Sequence, residues 1–514
     1  MRNLLTADGE MRYCYVNADG SQAPTLRLHP GDRLILRLKN ELSLPASAPP
    51  LHARLQSPCA SAMMTAATTN LHFHGLYLPP LCHQDETLAT LLQPSKHAFE
   101  YRVRIPRDQP PGLYWYHPHP HGSSEAQVLG GASGALIVEG IERVNPLLAG
   151  LPEKVLIIRD QKIPLLSSPA NPAAEIAYPP ERPSKDLSVN FIPVPYPKYP
   201  KAVVRMKPAQ RQLWRVLNAS ADTPLDLQLL FGRSAQKLGV VALDGVPIGY
   251  GNGNARDRIL WQSDIPLPAG GRAEFLVDGP PEGVPATLVT LGVETVPFVD
   301  QDDLLPASGA DPNSIPADED DNTPPRPLLT LVASSANQPT SQLPLVSVPL
   351  GPPSLPPLAS VHPVRQRKLY FSEKIQDPQH PGTSTIFYIT EEGQTPAAYD
   401  PSSATPNITA HQGEVEDWII ENRSQELHTF HIHQSHFVLL ERDGAAVDEP
   451  SLRDTVSVRF WDGTSQPYPS VRLRMDFRDP DIVGTFPYHC HILQHEDGGM
   501  MGTIQILPAL KPAK

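Results

Sequence analysis

The sequence predicts an all-β protein built from three Greek-key β-sandwich domains. Proline occupies 61 of the 514 positions, well above the usual level of about 5%. This much proline disfavours long helices and favours strands that are joined by turns. Short segments that alternate apolar and polar residues recur along the chain, as half-buried strands do. The length corresponds to three units at roughly 150 residues each, and turn-rich units of this size are typical of Greek-key sandwiches.

We place the first unit at residues 1–145 and the second at 146–350. In the first, residues 25–38 alternate as a strand, a turn and a second strand would, and residues 134–139 form a further apolar strand. The second has candidate strands at 155–158, 211–217 and 272–277. It contains neither histidine nor cysteine, so we expect no metal chemistry there. Residues 300–327 are rich in Asp and Pro, which predicts an exposed loop.

The third unit, at residues 351–514, begins its strands near residue 365. Candidate strands lie at 415–421, 437–441, 471–477 and 502–507. This unit also contains the most informative stretch of the chain, residues 489–500. Within twelve residues it places one thiolate, three imidazoles and a thioether, which are Cys490, His489, His491, His495 and Met500.

These residue types are the ligands of a copper electron-transfer site joined to a second metal site. If residues 489–491 are extended, Cys490 points to one side of the strand and both flanking histidines to the other. Cys490 with His495, a third imidazole and a weak axial Met500 fits a trigonal blue-copper centre. Electrons can then pass from the thiolate to the flanking histidines through bonds.

Three further histidine motifs supply the partners that such a site demands. A His-x-His pair on a strand aims both imidazoles at the same side, and the pairs at 72/74, 117/119 and 431/433 all have this spacing. With His428 and the last motif, ten histidines are accounted for. No histidine occurs between His121 and His362, so the ligands come from the two ends of the chain, which must meet in space.

Other interpretations of the histidines are weaker. A single His-x-His pair is usually accidental, and residues 117–121 alone could be a loop that traps adventitious metal. Zinc needs only three or four protein ligands, so ten histidines are too many for one zinc site. His121 and His436 lie beside the motifs and are expected to contact ligands or solvent. The remaining histidines that we interpret as ordinary surface or core residues are His29, His52, His97, His362, His380 and His411.

The four motifs resemble those of the multicopper oxidases, the family of laccase and bilirubin oxidase. They occur in the family's order, and the resemblance covers essentially the whole chain. The resemblance implies three cupredoxin-like domains and four copper ions, one of type 1, one of type 2 and two of type 3. It assigns the type 1 copper to His428, Cys490, His495 and Met500, and the type 2 copper to His72 and His431. The type 3 pair is then held by His74, His117 and His491 on one copper, and by His119, His433 and His489 on the other.

The resemblance further implies four-electron reduction of O2 to water, with single electrons taken from a reductant. Our main expectation is a laccase-like oxidase of phenols or aromatic amines, in which a solvent-facing edge of His495 accepts the electron. The alternative is a cuprous oxidase that serves copper tolerance. Only eight methionines are present, with Met63 and Met64 the one pair outside the final motif, and this disfavours Cu(I) as the reductant. A family member that has lost copper is weaker still, because no ligand is missing, and the type 3 histidines exclude a copper nitrite reductase.

Two acidic residues resemble the proton-relay acids of bacterial laccases. Glu496 directly follows the ligand His495, and Asp85 follows the first histidine motif. Positioned carboxylates can transfer protons, but they can equally hold a ligand imidazole in its orientation by a hydrogen bond. Both interpretations stay open for both residues.

Charge and cysteine content bound the partners and the compartment. The net charge is −13 and no Lys/Arg cluster is present, which argues against nucleic acid or an anionic membrane as a partner. No run approaches the roughly 18 apolar residues of a membrane span. Residues 1–5 do not form a secretory signal, so an exported protein would have lost its leader. The family favours export, and we expect a periplasmic or secreted location over a cytoplasmic one.

Cys59 and Cys82 can close a disulfide, with Cys14 free and buried.

Overall fold

The computed structural model describes residues 1–6, 10–43, 59, 64–162, 183–196, 198–199, 202–250, 258–297, 323–334, 341–345, 355–376, 385–449 and 451–510. Within these residues the chain is all-β, as predicted, with few and short helices. None of the described helices is long and apolar enough to span a membrane. Most of the loop that we expect at 300–327 lies outside the described residues, as do His52, Met63 and His380.

The N-terminal part forms three small sheets, and the one that matters for the site is four-stranded, in the order β3-β8-β7-β5. The pair β1-β2 and the pair β4-β6 form the other two. The elements are β1 (Arg2–Leu5), β2 (Met11–Cys14), β3 (Leu26–Leu28), β4 (Arg33–Leu38), β5 (His72–His74), β6 (Phe99–Arg104), β7 (Gly112–His117), α1 (Ser124–Leu129), β8 (Gly134–Val138) and α2 (Ile141–Val144). The strand, turn and strand predicted at 25–38 are confirmed as β3 and β4.

The disulfide that the sequence allows is present between Cys59 and Cys82, whose Cα atoms are 5.6 Å apart. It closes a loop that includes the first histidine motif. Cys14 is free, as expected, but it is half-buried rather than buried because it lies on the two-stranded β1-β2 sheet at the surface.

The middle part folds as two larger sheets around one apolar core. The first has the order β11-β10-β9-β13-β20-β16-β17, with β18 on β16 and β23 on β9. The second has the order β12-β22-β21-β14-β15, with β19 on β14. The strands are β9 (Pro152–Lys162), β10 (Lys185–Val189), β11 (Ile192–Val194), β12 (Ala202–Met206), β13 (Arg211–Asn218), β14 (Leu225–Phe231), β15 (Ser234–Ala235), β16 (Leu238–Leu243), β17 (Val246–Pro247), β18 (Leu260–Gln262), β19 (Ile265–Leu267), β20 (Arg272–Asp278), β21 (Ala286–Thr290), β22 (Arg326–Ala333) and β23 (Ser341–Gln342).

The C-terminal part repeats this two-sheet plan around a second core that includes Cys490 and Met500. Its sheets have the orders β25-β24-β27-β33-β29-β30, with β31 on β29, and β26-β35-β34-β28-β32. The elements are β24 (Arg365–Ile375), β25 (Thr385–Glu391), β26 (Ile408–His411), β27 (Val415–Asn422), β28 (His428–Ile432), β29 (Phe437–Arg442), β30 (Ala445–Ala446), β31 (Leu452–Arg453), β32 (Thr455–Val458), β33 (Ser470–Asp476), β34 (Gly484–Cys490), α3 (Leu493–Asp497) and β35 (Met501–Leu507).

Every strand that we predicted in the second and third units overlaps an observed one, including β9, β13, β20, β27, β29, β33 and β35. Alternation identified them because one face of each strand packs on a core. The domain boundaries at 145 and 350 stay a prediction.

Candidate metal centre

Cys490, His428 and His495 converge in the interior of the C-terminal part. The Cys490 Sγ lies 3.7 Å from His428 Nδ1 and 3.7 Å from His495 Nδ1, and the two nitrogens are 2.9 Å apart. Two nitrogens and one sulfur at these separations can share a single small metal ion. Met500 has no exposed surface and packs in the same apolar cluster as Cys490. The backbone N–H of Thr429 also points at the sulfur, 3.4 Å away.

Local structure explains how residues 490 and 495 come together. Cys490 is the last residue of β34, and after a short bend the chain forms the one-turn helix α3, which carries His495. This turn brings the imidazole back to the side of the strand on which the thiol lies. The sequence did not predict α3. Its five residues are too short for a helical period to be recognised.

The outer nitrogens of both imidazoles have partners. His428 Nε2 lies 2.6 Å from the Ser424 hydroxyl, and His495 Nε2 lies 3.2 Å from a Glu426 carboxylate oxygen. The Phe387 ring stacks on His495 at 4.3 Å. Such partners fix the ring orientation and leave Nδ1 for the metal. Burial opposes the charged form of His495, but Cys490 and Glu426 outweigh burial and raise its pKa.

The solvent-facing edge that we expected for His495 is not observed. The residue is only 2% exposed, because Phe387 covers one face and Glu426 covers the outer nitrogen. The cavity that it lines holds only about 10 Å³. Glu426 has 29% of its side chain exposed. Of His495 and Glu426, it is therefore Glu426 that reaches the surface.

Behind this site lies a second cluster of eight buried histidines, His72, His74, His117, His119, His431, His433, His489 and His491. Strand register brings them together. On the N-terminal sheet His72 pairs with His117, and on the C-terminal sheet His431 pairs with His489. The two sets then meet ring against ring. His72 stacks on His433 at 3.8 Å, and His74 stacks on His431 at 4.0 Å. The two ends of the chain therefore meet, as the distribution of histidines predicted.

Three of these histidines direct the same nitrogen at a common point. His489 Nε2 lies 3.2 Å from His119 Nε2 and 3.2 Å from His433 Nε2. Their ring nitrogens fall within 4.8 Å of one another, as do those of two overlapping groups, His72 with His431 and His433, and His72 with His74 and His117. His489 carries its proton on Nδ1, which faces the Cys490 carbonyl, so its Nε2 offers a lone pair, and a metal ion among the three nitrogens would satisfy this donor set.

Hydrogen bonds to the opposite ring nitrogens support this interpretation. The Nδ1 atoms of His117, His431 and His489 lie 3.0, 2.8 and 2.8 Å from the carbonyls of Pro118, Asp454 and Cys490. The other nitrogens of His117 and His431 are buried without a partner, and so are His72 Nε2, His74 Nδ1 and both nitrogens of His491, one of which is available to a metal. A buried polar atom without a partner is costly, whereas metal coordination would satisfy it.

Burial lowers the pKa of most of these imidazoles, including His74, His117, His431 and His491, and lowers that of His489 to about 3. The imidazoles whose pKa is lowered are therefore neutral at pH 7. This is the form in which histidine binds a metal.

Asp85 lies next to the histidine cluster, fully buried, and fixes His72. Its two carboxylate oxygens are 3.1 and 3.0 Å from His72 Nδ1, and it also accepts hydrogen bonds from the Phe73 N–H at 2.8 Å and the Gln434 side chain at 2.5 Å. His72 Nδ1 is thereby occupied, and Nε2 is left for a ligand. The sequence left two roles open for Asp85, proton transfer and orientation of a ligand imidazole. The geometry favours orientation.

Glu496 reaches the cluster from the other side. Its carboxylate lies 3.6 Å from His119 Nε2 and 3.4 Å from His489 Nδ1, with no exposed surface. Burial, with the adjacent Asp497 carboxylate, raises the pKa of Glu496 well above its usual value. Burial also raises the pKa of Asp497 to about 7, although Asp497 accepts backbone N–H groups of Gly122, Ser124 and Glu125 at the start of α1.

His121 and His436 lie beside the cluster and outside the groups named above. His436 is buried beside the Tyr77 ring, and His121 packs edge-on against Tyr399 at 4.9 Å. Tyr399 and both His119 and His121 line a cavity of about 330 Å³, which also reaches Met64 and Met501. His29, His97 and His362 are exposed and His411 is half-buried, so these four are surface residues.

The sequence missed the residues that hold the ligands in place. Glu426, Ser424, Asp454 and Arg272 contact ligand histidines or each other, yet none lies in a recognisable motif. Only the position of Ser424 and Glu426, shortly before His428, could have drawn attention to that pair. Arg272 contacts residues 159 and 182 positions away, and no local pattern reveals such contacts.

Comparisons with known proteins agree with this geometry. Two family models described as multicopper oxidase match residues 63–143 and 376–509, the two parts that contain all four motifs. A multicopper oxidase, mco, of Staphylococcus haemolyticus is 24% identical over 492 residues, which cover 94% of this chain and 81% of that protein. A laccase of Bacillus subtilis is 31% identical over 119 residues, covering 21% of this chain and 22% of that protein.

Solved structures share the fold. A Campylobacter jejuni multicopper oxidase, described as a metallo-oxidase, superposes with a TM-score of 0.63 at 23% identity, covering 99% of this chain and 89% of that one. The multicopper oxidase McoA of Aquifex aeolicus gives a TM-score of 0.64 at 19% identity, covering 99% and 96%. These neighbours are built from cupredoxin-like β-sandwiches, which confirms the predicted fold class. With its motifs and its buried histidine cluster, the chain contains two multicopper oxidase domains, at residues 63–143 and 376–509, and its relatives and structural neighbours are copper enzymes that oxidise a reductant at the expense of O2.

Proposed function

We propose that this multicopper oxidase is laccase-like and couples one-electron oxidation of phenols or aromatic amines to four-electron reduction of O2 to water. Its four coppers would be held as the family pattern implies. His428, Cys490, His495 and Met500 would bind the type 1 ion. His72 and His431 would bind the type 2 ion. The type 3 pair would be bound by His74, His117 and His491, and by His119, His433 and His489. Bound copper would supply the one-electron carriers and the site at which O2 is reduced.

The single observation that carries the proposal is the position of Cys490 between the two histidine groups. Its Sγ lies in the three-residue group, while the side chains of His489 and His491, the neighbours on either side, lie in the eight-histidine cluster. An electron that arrives at the sulfur therefore has a path of a few covalent bonds to the cluster. A binding protein without electron transfer would have no use for this arrangement.

Protons are the second requirement of O2 reduction, and Glu496 is our proposed donor. It is the carboxylate that contacts two cluster histidines, His119 and His489, on the side where Asp497 and α1 lie. Asp85 is proposed to act by orienting His72, since both of its oxygens face that ring.

Glu426 is the proposed contact for the reductant. It lies outside His495, with a carboxylate oxygen 3.2 Å from Nε2, and is partly exposed, so a phenol that binds there could give its proton to the carboxylate and pass its electron through the imidazole to the copper that the site would hold. The cavity of about 10 Å³ at His495 does not admit an aromatic ring. We therefore place the phenol over Glu426 and not directly against His495.

Cu(I) oxidation remains the second candidate, because one structural neighbour is described as a metallo-oxidase and a carboxylate beside His495 could hold a cation as well as accept a proton. Met64 lines the cavity at His119 and not the one at His495. This position gives Met64 no direct part in electron entry.

The deciding experiment compares steady-state oxidation of a phenol and of Cu(I) by copper-loaded wild type, Glu426→Gln and, as the matched control, Met64→Leu. We expect phenol oxidation without added copper, a loss of roughly 10²-fold in kcat/KM for Glu426→Gln, as for removal of a general base, and no change for Met64→Leu. Efficient Cu(I) turnover with negligible phenol oxidation at any pH would move the protein to the copper-tolerance class.

We also propose a periplasmic or secreted location. The disulfide between Cys59 and Cys82 supports it, because such bonds persist mainly in oxidising compartments.

A further inference from the structure

The strongest unassigned feature near the metal centre is a buried ion pair between Asp454 and Arg272. Both side chains are fully buried. Arg272 donates from its two terminal nitrogens to the two carboxylate oxygens of Asp454, at 2.7 and 2.5 Å. Arg272 begins β20 in the middle part of the chain, which supplies none of the proposed metal ligands, whereas Asp454 lies between β31 and β32 of the C-terminal part.

Asp454 contacts two histidines that we assign to different coppers. Its carboxylate oxygen Oδ1 lies 3.2 Å from His74 Nε2, and its backbone carbonyl lies 2.8 Å from His431 Nδ1. Each contact requires the proton to be on the nitrogen that faces Asp454. The opposite nitrogens, His74 Nδ1 and His431 Nε2, are buried without a partner, so their lone pairs are free for a metal. The two rings stack almost parallel, 10° apart.

Arg272 holds this arrangement from behind. Besides Asp454 it donates to the carbonyls of Leu113, Gly270 and Asp244, at 3.3, 3.1 and 2.8 Å, so that all parts of its guanidinium are fixed. The packing leaves no spare room. A Cβ on Gly75 would lie 2.5 Å from Arg272 and 2.6 Å from Asp454, and a Cβ on Gly270 would lie 2.7 Å from the His491 ring.

We infer that Arg272 and Asp454 are positioning residues of the copper cluster, through which the middle part of the chain sets the tautomers of His74 and His431. The planar fork of Arg272 fixes the Asp454 carboxylate, and the carboxylate together with its own backbone carbonyl fixes one type 3 and one type 2 ligand. The inference rests on the proposed copper assignment. A merely structural ion pair would instead join the parts of the fold without affecting the affinity for copper.

A matched control is available in the same sheet. Arg215 on β13 is also fully buried, and it pairs with Glu153 at 2.7 Å and with Glu274. Neither of these pairs involves a carboxylate that touches a proposed ligand. Removing the charge of Arg215 therefore tests what the loss of a buried cation does to stability alone.

The experiment measures retention of cluster copper by chelator competition, together with the type 2 EPR signal and the blue band, for wild type and the variants Asp454→Asn, Arg272→Met, Arg272→Lys and Arg215→Met. Asparagine presents an amide in place of one carboxylate oxygen, so it cannot both accept from His74 and receive the fork of Arg272. We expect Asp454→Asn and Arg272→Met to hold cluster copper roughly 10- to 100-fold more weakly, as loss of outer partners does, and to alter the type 2 signal while the blue band persists. Arg272→Lys should restore part of the affinity.

Arg215→Met should lower the unfolding midpoint with cluster copper retained. The inference is overturned if Arg272→Met and Arg215→Met lose copper equally, in proportion to lost stability, or if Asp454→Asn keeps wild-type affinity and an unchanged type 2 signal. Should Arg272→Met fail to fold, Asp454→Asn and Arg272→Lys decide alone. If wild type binds no copper at the cluster, the proposed function itself is wrong. That result is seen without any variant, so it is distinguishable from failure of the present inference.

Discussion

At the scale of single residues, the position of Cys490 in its strand decides which side chains share each of the two sites. One step along the backbone separates its sulfur, which faces His428 and His495, from the imidazoles of His489 and His491 in the neighbouring cluster. The alternation of a strand produces this division, and for that reason the sequence could predict it. Ring tautomers could not be predicted, because they depend on partners such as Asp85, Asp454 and Glu426 that lie far away or outside any motif.

Met500 gives a prediction at this scale. A thioether in an axial position donates weakly to copper and favours Cu(I) less than an apolar side chain there would. Met500→Leu should therefore raise the type 1 reduction potential, as measured by redox titration of the blue band. The neighbouring Met501→Leu is the control, since Met501 is also buried but lines the cavity beside His119. If Met501→Leu shifts the reduction potential and Met500→Leu does not, the axial assignment is wrong.

At the scale of elements, the strands were predictable and the helix α3 was not. Alternation located β27, β29, β33 and β35 to within one or two residues because one face of each is buried. The return of His495 toward Cys490 depends instead on five residues of helix whose packing against the rest of the fold cannot be read locally. The ligand residue was thus predictable, whereas the element that positions it was not.

Strand β14 of the middle part gives a prediction that is independent of copper. Burial, and then the nearby Asp264 carboxylate, raises the pKa of Asp226 from 3.8 to about 6. Between pH 4 and 6 the folded state keeps a proton that the unfolded chain has lost, so the free energy of unfolding falls as the pH rises through this window. Asp226→Asn should therefore be nearly neutral at pH 4 and stabilising above pH 6, as judged from denaturant unfolding at both pH values.

The exposed Asp400, whose pKa is lowered by hydrogen bonds from Ser402, gives a control of opposite sign. Its contribution to stability is present at neutral pH and is lost as the pH falls through its lowered pKa. Asp400→Asn should therefore not stabilise the protein at any pH. Equal behaviour of the two variants would argue against the burial of Asp226 as the cause.

For the whole molecule, the distribution of histidines predicted that the two chain ends meet, and stacking of His72 on His433 and of His74 on His431 confirms it. The part played by the middle of the chain was not predictable. Arg272 occurs in an ordinary strand pattern, and its contact with Asp454 spans 182 positions. Contacts between residues so far apart in sequence arise only when the chain packs. Composition and periodicity therefore do not predict them.

The central claim is that one thiolate site and one histidine cluster together form a four-copper centre, and Cys490→Ser tests it most directly. We expect copper-loaded wild type to show the intense blue thiolate-to-copper absorption and four coppers per chain by elemental analysis. Cys490→Ser should lose that absorption while retaining the type 2 EPR signal and the copper of the cluster, because its histidines do not depend on the sulfur. A fully loaded wild type without the blue band, or a Cys490→Ser variant that keeps it, would contradict the account.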